Sequence, residues 1–335
     1  MNNQLGIDVG TANTRICAKG EGILLRAPSV IAVRTQSHAI LASGVEAKRM
    51  IGRTPYSVLA AKPVRGGAVA DIELASLMLG DFLNRLGASS LFRRPTVTAC
   101  IPCGVGENAK RALEDACFEA GASSVALVEK PVAAALGAGI RVASAVGGVL
   151  VDVGAGTTSV SVFSHDGIVV SGVSKKAGDA FTEAILEYLA KEQSILVGEG
   201  TAEAIKHRIG SLADSCDTRK LEITGKSTKM GGACRVFVSA AMLKEALLPV
   251  AEVILNAIRK VLEETPPELS ADITRYGLLL SGGGAMLHGF PEYVAKRLGV
   301  RTTLSRHPLD DVCLGLAAIL DGGAETARYI VSRPR

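Results

Sequence analysis

Asp8-Val9-Gly10-Thr11-Ala12-Asn13-Thr14 and Asp152-Val153-Gly154-Ala155-Gly156-Thr157-Thr158 repeat one pattern: an apolar run ending in Asp, a Gly-rich turn, then Thr. The runs are Leu5-Gly6-Ile7 and Gly148-Val149-Leu150-Val151, and the two Asp residues lie 144 positions apart (152 − 8) in a chain of 335. That spacing is far longer than a solenoid period. It predicts two similar domains, each bringing one tight hairpin to a shared cleft. Glycines let several backbone N–H groups converge on phosphate oxygens with no Cβ in the way, so the expected occupant is a polyphosphate. An Asp at the strand end suits Mg²⁺ held through its water shell, because Mg²⁺ dehydrates reluctantly. A third Gly-rich turn, Ser281-Gly282-Gly283-Gly284-Ala285, follows the apolar run 277–280. Neither hairpin reads G-x-G-x-x-G into a helix, and no G-x-x-x-x-G-K-[ST] is present, so the Rossmann and P-loop readings fail on pattern.

The rest of the chain alternates strands and helices. A strand at Leu5–Val9 turns at Gly10, returns through 15–19, and is followed by a third near 23–26. A smaller, turn-rich segment runs from Pro28 to about Asp71. Apolar positions at helical spacing mark 72–87, and a second helix is expected over 107–120. Strands are expected at 96–101 and 124–129. Pro131 then opens a helix of small residues, which can pack closely against another backbone and suits a domain crossing. Beyond the second hairpin the pattern predicts a strand at 167–171, helices over 180–191 and from Thr201, short strands within 217–238, a long amphipathic helix over 240–264, and the strand 277–280. The class is α/β, with two lobes that each carry a smaller insertion.

Hydrophobic content of 48% and charged content of 21% are those of a globular chain long enough for two cores. The net charge of +4 comes from 37 basic against 33 acidic residues, scattered along the chain. With aromatics at 4% and no Trp, nucleic acid is not an expected partner. Seven Cys and no evident targeting segment point to a reducing cytoplasm, and no apolar run reaches membrane-span length. Cys100-Ile101-Pro102-Cys103 is formally C-x-x-C, but its first Cys sits inside an apolar strand, so buried, inert thiols are expected. The five His lack ligand-like spacing, and no transition-metal site is expected.

The chain resembles the actin superfamily, and within it the MreB-type bacterial actins. Matching stretches include Gly6 to Thr14, Pro28-Ser29-Val30, Gly52-Arg53-Thr54-Pro55 and Gly121-Ala122. They continue with Glu129 to Gly137, Asp152 to Thr158, Ala177-Gly178-Asp179, Thr201-Ala202-Glu203 through Lys206, Glu264 to Leu269 and Ser281 to Gly289. The resemblance implies an actin-like two-lobed fold of duplicated ribonuclease H-like domains with a nucleotide cleft between them. It implies lobe I over 1–140 plus 306–335, with an insertion at about 30–70, and lobe II over 141–305, with an insertion at about 178–243.

It also implies ATP or ADP with Mg²⁺ in that cleft. Gly10, Thr11, Ala12 and Asn13 would hold the β- and γ-phosphates from one lobe, and Gly154, Ala155, Gly156 and Thr157 from the other. Asp8 and Asp152 would hold Mg²⁺ and its waters. Gly178 and Asp179 would belong to the nucleotide-binding set, and Gly282, Gly283, Gly284, Ala285 and Met286 would pass under the adenine or ribose. Glu203 to Lys206, with Ala204 and Ile205 between, would form the nucleoside edge; Glu203 and Lys206 are equally placed for a solvent i,i+3 ion pair. Implied at the molecular level is a polymer of this chain in paired protofilaments, cytoplasmic at the inner face of the membrane, working with cell-wall elongation proteins in rod-shaped bacteria.

Two departures bear on function. The family carries two acids before the Pro of the small-residue helix, the second of which positions the attacking water beside Asp152 and Thr157. Here the stretch is Glu129-Lys130-Pro131. A charged Lys cannot accept a proton from water, and its ammonium near the γ-phosphate would act as a counter-charge. The expectation is an ATP-binding protein that hydrolyses slowly or not at all; the alternatives are a Lys130 that swings to solvent, or a scaffold that co-assembles with a hydrolysing paralogue. Second, Met1 to Gln4 is too short and polar for an amphipathic anchor, while Leu91 and Phe92 beside Arg93-Arg94 offer a membrane-inserting loop, or else the cap of the preceding helix. A sugar kinase would need a catalytic Asp motif that is absent between the hairpins, and a heat-shock chaperone a further domain.

Overall fold

The computed structural model describes residues 3–88, 94–213 and 217–332. The chain divides into two units. The first comprises Met1–Ala145, Ser164–Ile168 and Leu309–Arg335; the second comprises Val146–Phe163 and Val169–Pro308.

The first unit is built on a five-stranded sheet. Its central strand, Gln4–Val9, pairs antiparallel with Asn13–Ala18 on one side and parallel with Thr96–Ile101 on the other; Gly22–Pro28 and Ser124–Glu129 form the two ends. Leu5 to Val9 are all buried, as expected of a strand covered on both faces. Helices Ile72–Arg85 and Glu107–Glu119 supply Met78, Leu79, Phe82, Leu113 and Cys117 to the core beneath Ile7, Val97 and Val125. Asp71 starts the first of these helices by accepting from the Leu74 N–H at 2.9 Å, a cap worth about 1 kcal/mol. Helix Asp311–Gly322 packs on strands 4–9 and 13–18. A small sheet of Ile31–Arg34, Ile40–Ser43 and Val58–Ala61 carries the short helix Val45–Met50.

The small-residue helix, Lys130–Gly137, finds its close neighbour inside its own unit. It packs against helix 311–322 of the same unit. The two backbones come so close that a Cβ on Gly137 would stand 1.8 Å from the Asp311 carbonyl oxygen, and one on Gly315 would stand 1.7 Å from that of Ala133. At the far edge, Ile330 bridges Val128 and the Val331 N–H donates to the Leu127 carbonyl, which covers the edge strand 124–129.

The second unit repeats the plan. Gly148–Val153 is central, with Thr158–Ser164 antiparallel on one side and Leu278–Ser281 parallel on the other; Gly167–Ser174 and Thr302–Leu304 lie outermost. Numbered along the chain, both sheets have the strand order fifth, fourth, first, second, third. Helices Gly178–Lys191, Glu199–Ile209 and Ala240–Glu263 pack around one core with Pro267–Tyr276 and Phe290–Leu298, where Phe181 and Phe290 meet edge to face at 6.3 Å. Pro249 lies inside the 24-residue helix 240–263 without ending it. The polar stretch after 217 forms two full strands, Lys220–Ser227 and Ala233–Ser239, paired in one hairpin. Among the described residues no helix is long and apolar enough to cross a membrane.

Candidate functional site

The two Asp–Gly hairpins close in the same way. In the first, Val9 pairs with Thr14 and the Gly10 N–H donates to the Asn13 carbonyl at 3.1 Å. In the second, Val153 pairs with Thr158 and the Gly154 N–H donates to the Thr157 carbonyl at 2.9 Å. A Cβ would stand 2.7 Å from the Asn13 carbonyl oxygen at Gly10, and 3.1 Å from that of Thr157 at Gly154. A side chain at Gly10 would force a backbone shift, while at Gly154 the approach is tight but less severe; tight Gly turns of this kind can present backbone N–H groups to phosphate oxygens. Asp8 and Asp152, two residues before each Gly, are buried at the strand ends.

Each hairpin is held from outside by its own unit. In the first, the Ser29 hydroxyl donates to the Gly10 carbonyl at 2.6 Å and meets the Thr14 hydroxyl at 2.9 Å, while the Ser29 N–H donates to the Ala12 carbonyl. The Thr11 hydroxyl accepts from the Gly67 N–H at 3.0 Å, tying the turn to the 64–69 loop. In the second, the Gly178 and Asp179 N–H groups donate to the Gly154 and Ala155 carbonyls at 3.0 and 2.8 Å. Helix 178–191 thus begins on the hairpin, with its positive N-terminal end there. Sequence reasoning assigned no role to Ser29, Gly67 or Thr182; Pro28-Ser29-Val30 as a matched stretch was the available signal for Ser29.

The second unit also brings in the third Gly-rich turn. Strand 278–281 pairs Ser281 with Asp152, and Gly282, at φ +84°, lies so near that a Cβ there would be 2.5 Å from Asp152 Oδ1. Residues 283–286 follow as one 3₁₀ turn, with Ala285 buried and Met286 exposed. Lys206 Nζ donates to the Gly178 carbonyl and to Thr182 Oγ1, both at 2.8 Å, so its ammonium secures the start of helix 178–191. Glu203 lies 3.9 Å from His207 Nε2 one turn along. Hairpin 154–157, helix start 178–179, Lys206 and turn 282–285 therefore form one cluster.

Lys130, the first residue of helix 130–137, reaches back to the first hairpin's strand. Its Nζ stands 3.4 Å from Asp8 Oδ1, with Lys130 23% exposed and Asp8 6%. Glu129 ends strand 124–129, and its Oε1 is 3.6 Å from Cys103 Sγ. The C-x-x-C pair is therefore not wholly buried: Cys100 is, but Cys103 is half-exposed, because Pro102 and Gly104 turn the chain out of the strand. The glycine cradles fit a polyphosphate. The Asp8 carboxylate does not fit the hydrated Mg²⁺ implied for it, because a cation of the protein already stands against that oxygen. Leu91 and Phe92 lie outside the described residues.

The MreB/Mbl protein family model matches residues 2–328. The cell shape-determining protein Mbl of Bacillus subtilis (strain 168) is 39% identical over 317 residues, 95% of each chain. The crystal structure of MreB5 of Spiroplasma citri bound to ADP superposes with a TM-score of 0.90 at 31% identity, covering 95% of this chain and 96% of that one. The form bound to AMPPNP superposes at 0.91 and 30%, covering 98% and 97%.

Proposed function

The chain belongs to the MreB/Mbl family and has its actin-like fold, and from that premise we propose that it binds an adenine nucleotide and assembles with copies of itself into filaments that serve cell shape. The single observation that carries the nucleotide reading is the matched closure of the hairpins at Gly10–Asn13 and Gly154–Thr157. The Spiroplasma relative bound to ADP and to AMPPNP supports the same reading. On it, Thr11, Ala12 and Asn13 meet phosphate oxygens from the first unit, and Ala155, Gly156 and Thr157 from the second. Gly178 and Asp179 add the helix start, and turn 282–286 takes the nucleoside. Lys206 acts by holding that helix start, a supporting role suggested by its bonds to Gly178 and Thr182. Any Mg²⁺ is held from Asp152.

We assign the filaments to the inner face of the cell membrane, in company with cell-wall elongation proteins. The polymer is one that hydrolyses ATP slowly or not at all. That part is favoured by Lys130, whose ammonium stands on Asp8 where the family carries a second acid. A side chain held as a cation cannot take a proton from an attacking water. Sedimentation with ATP, ADP and AMPPNP, together with phosphate release, tests both parts. Pelleting is expected with ATP and AMPPNP alike, with phosphate release near background for the wild type and raised in Lys130→Glu. Brisk, equal release from both proteins would overturn the slow-hydrolysis reading, and failure to pellet with any nucleotide would overturn the filament reading.

A further inference from the structure

We propose that the Lys130 ammonium replaces the divalent cation at Asp8, so that this chain holds the β- and γ-phosphates of its nucleotide without needing Mg²⁺. The inference rests on the nucleotide reading above and specifies how its charge is neutralised. The observation is the ion pair itself: Nζ to Oδ1 at 3.4 Å, with Asp8 almost fully buried two residues before Gly10, the residue that closes the phosphate-type hairpin.

A carboxylate that receives a hydrated Mg²⁺ does so as an acceptor, taking hydrogen bonds from the metal's water shell. An ammonium is donor-only and offers three N–H groups, so it can satisfy the carboxylate and still donate to a phosphate oxygen. It also carries fixed positive charge, which disfavours a second cation beside the same buried oxygen. The backbone of Lys130 is fixed, so its side chain starts within reach of Asp8. Lys130 is the first residue of a helix whose next residue is Pro131 and whose far end is locked at Gly137 against helix 311–322. The pair thus leaves Asp8 with a resident counter-ion and gives the hairpin a built-in positive charge where its phosphates would arrive. Lys is a common phosphate binder in this role, as a point charge.

The test is nucleotide affinity with and without metal, read by fluorescence of a labelled ATP, for the full chain and for Lys130→Glu and Lys130→Gln. Wild-type affinity is expected to change by less than about threefold between excess Mg²⁺ and EDTA. Lys130→Glu is expected to lose about tenfold or more in EDTA and to recover with Mg²⁺, because it restores an acid and removes the resident cation. A second measurement that leaves Lys130 in place guards against misfolding of its variants: Mn²⁺ electron paramagnetic resonance of the ATP complex, expected to be the same for the wild type and Asp8→Asn. A wild-type affinity that collapses in EDTA, or a protein-shifted Mn²⁺ signal abolished by Asp8→Asn, would overturn the inference while leaving nucleotide binding intact. No binding under either condition would overturn the nucleotide reading as well.

Discussion

Asp310 accepts from Arg15 Nε at 3.0 Å and from Arg26 through both of its oxygens, at 3.0 to 3.2 Å. Arg15 and Arg26 face each other across strands 13–18 and 22–28, a like-charge pair that a sheet tolerates poorly alone. The carboxylate between them removes that repulsion. Burial works to raise its pKa, but the hydrogen bonds from Arg26 and Arg15 prevail and hold it below the ordinary 3.8. A lowered carboxylate stabilises the fold fully above its unfolded value and loses that contribution as pH falls through the folded one. Asp310→Asn should therefore lower stability by roughly 1–2 kcal/mol at neutral pH, discounted for the exposed Arg26. Thermal midpoints of the two proteins should converge as pH drops below about 4. A constant gap down to strong acid would remove the carboxylate from this role. None of these three residues was singled out in the sequence, because their contacts span 284 and 295 positions. Lys130 is a half-legible case: its identity stood out against the family pattern, but its partner Asp8 is distant in sequence and came only with the fold.

Among elements, the hairpins were the most legible because their requirements are local. A tight turn after a buried strand favours glycine at a fixed place, and both Gly10 and Gly154 occupy it. The small-residue helix 130–137 was legible as a surface for close backbone approach, yet the identity of the approaching backbone was not. Nothing near it in sequence indicates helix 311–322 as the partner. At Gly315 a side chain would meet the backbone of Ala133, which cannot rotate away. Gly315→Val should cost about 3 kcal/mol or more, at the upper end of overpacking penalties, read as a lowered thermal midpoint. It should also weaken nucleotide binding, because helix 130–137 carries Lys130. An unchanged midpoint would mean that the two helices separate freely.

At the scale of the molecule, the matched strand order of the two sheets was foreshadowed by the paired Asp–Gly motifs, though neither sheet's end strands could be ordered from pattern alone. The first unit is assembled from both ends of the chain and the second from its middle. Leu316 lies against Gly6 on strand 4–9, and an added Cβ at Gly6 would be 2.9 Å from it. A chain ending at Pro308 would lack helix 311–322 and leave that face of the sheet bare. Limited proteolysis of such a truncation should cut within 3–145 while sparing 146–308; equal protection of both regions would contradict this division.

The order of events on the ribosome follows from the same arrangement. Residues 146–308 leave the ribosome ahead of helix 311–322, so the later-synthesised unit can finish first. The earlier one must wait, with Leu5, Ile7 and Ile16 under an open face, until helix 311–322 arrives. Lys130 and Asp8 are both made early, but the helix that carries Lys130 is braced only once helix 311–322 has emerged. A nascent or prematurely terminated chain would therefore carry both Asp–Gly turns while the helix bearing Lys130 was still unanchored. Any grip on a ligand that relies on Lys130 is thus expected only after helix 311–322 has emerged.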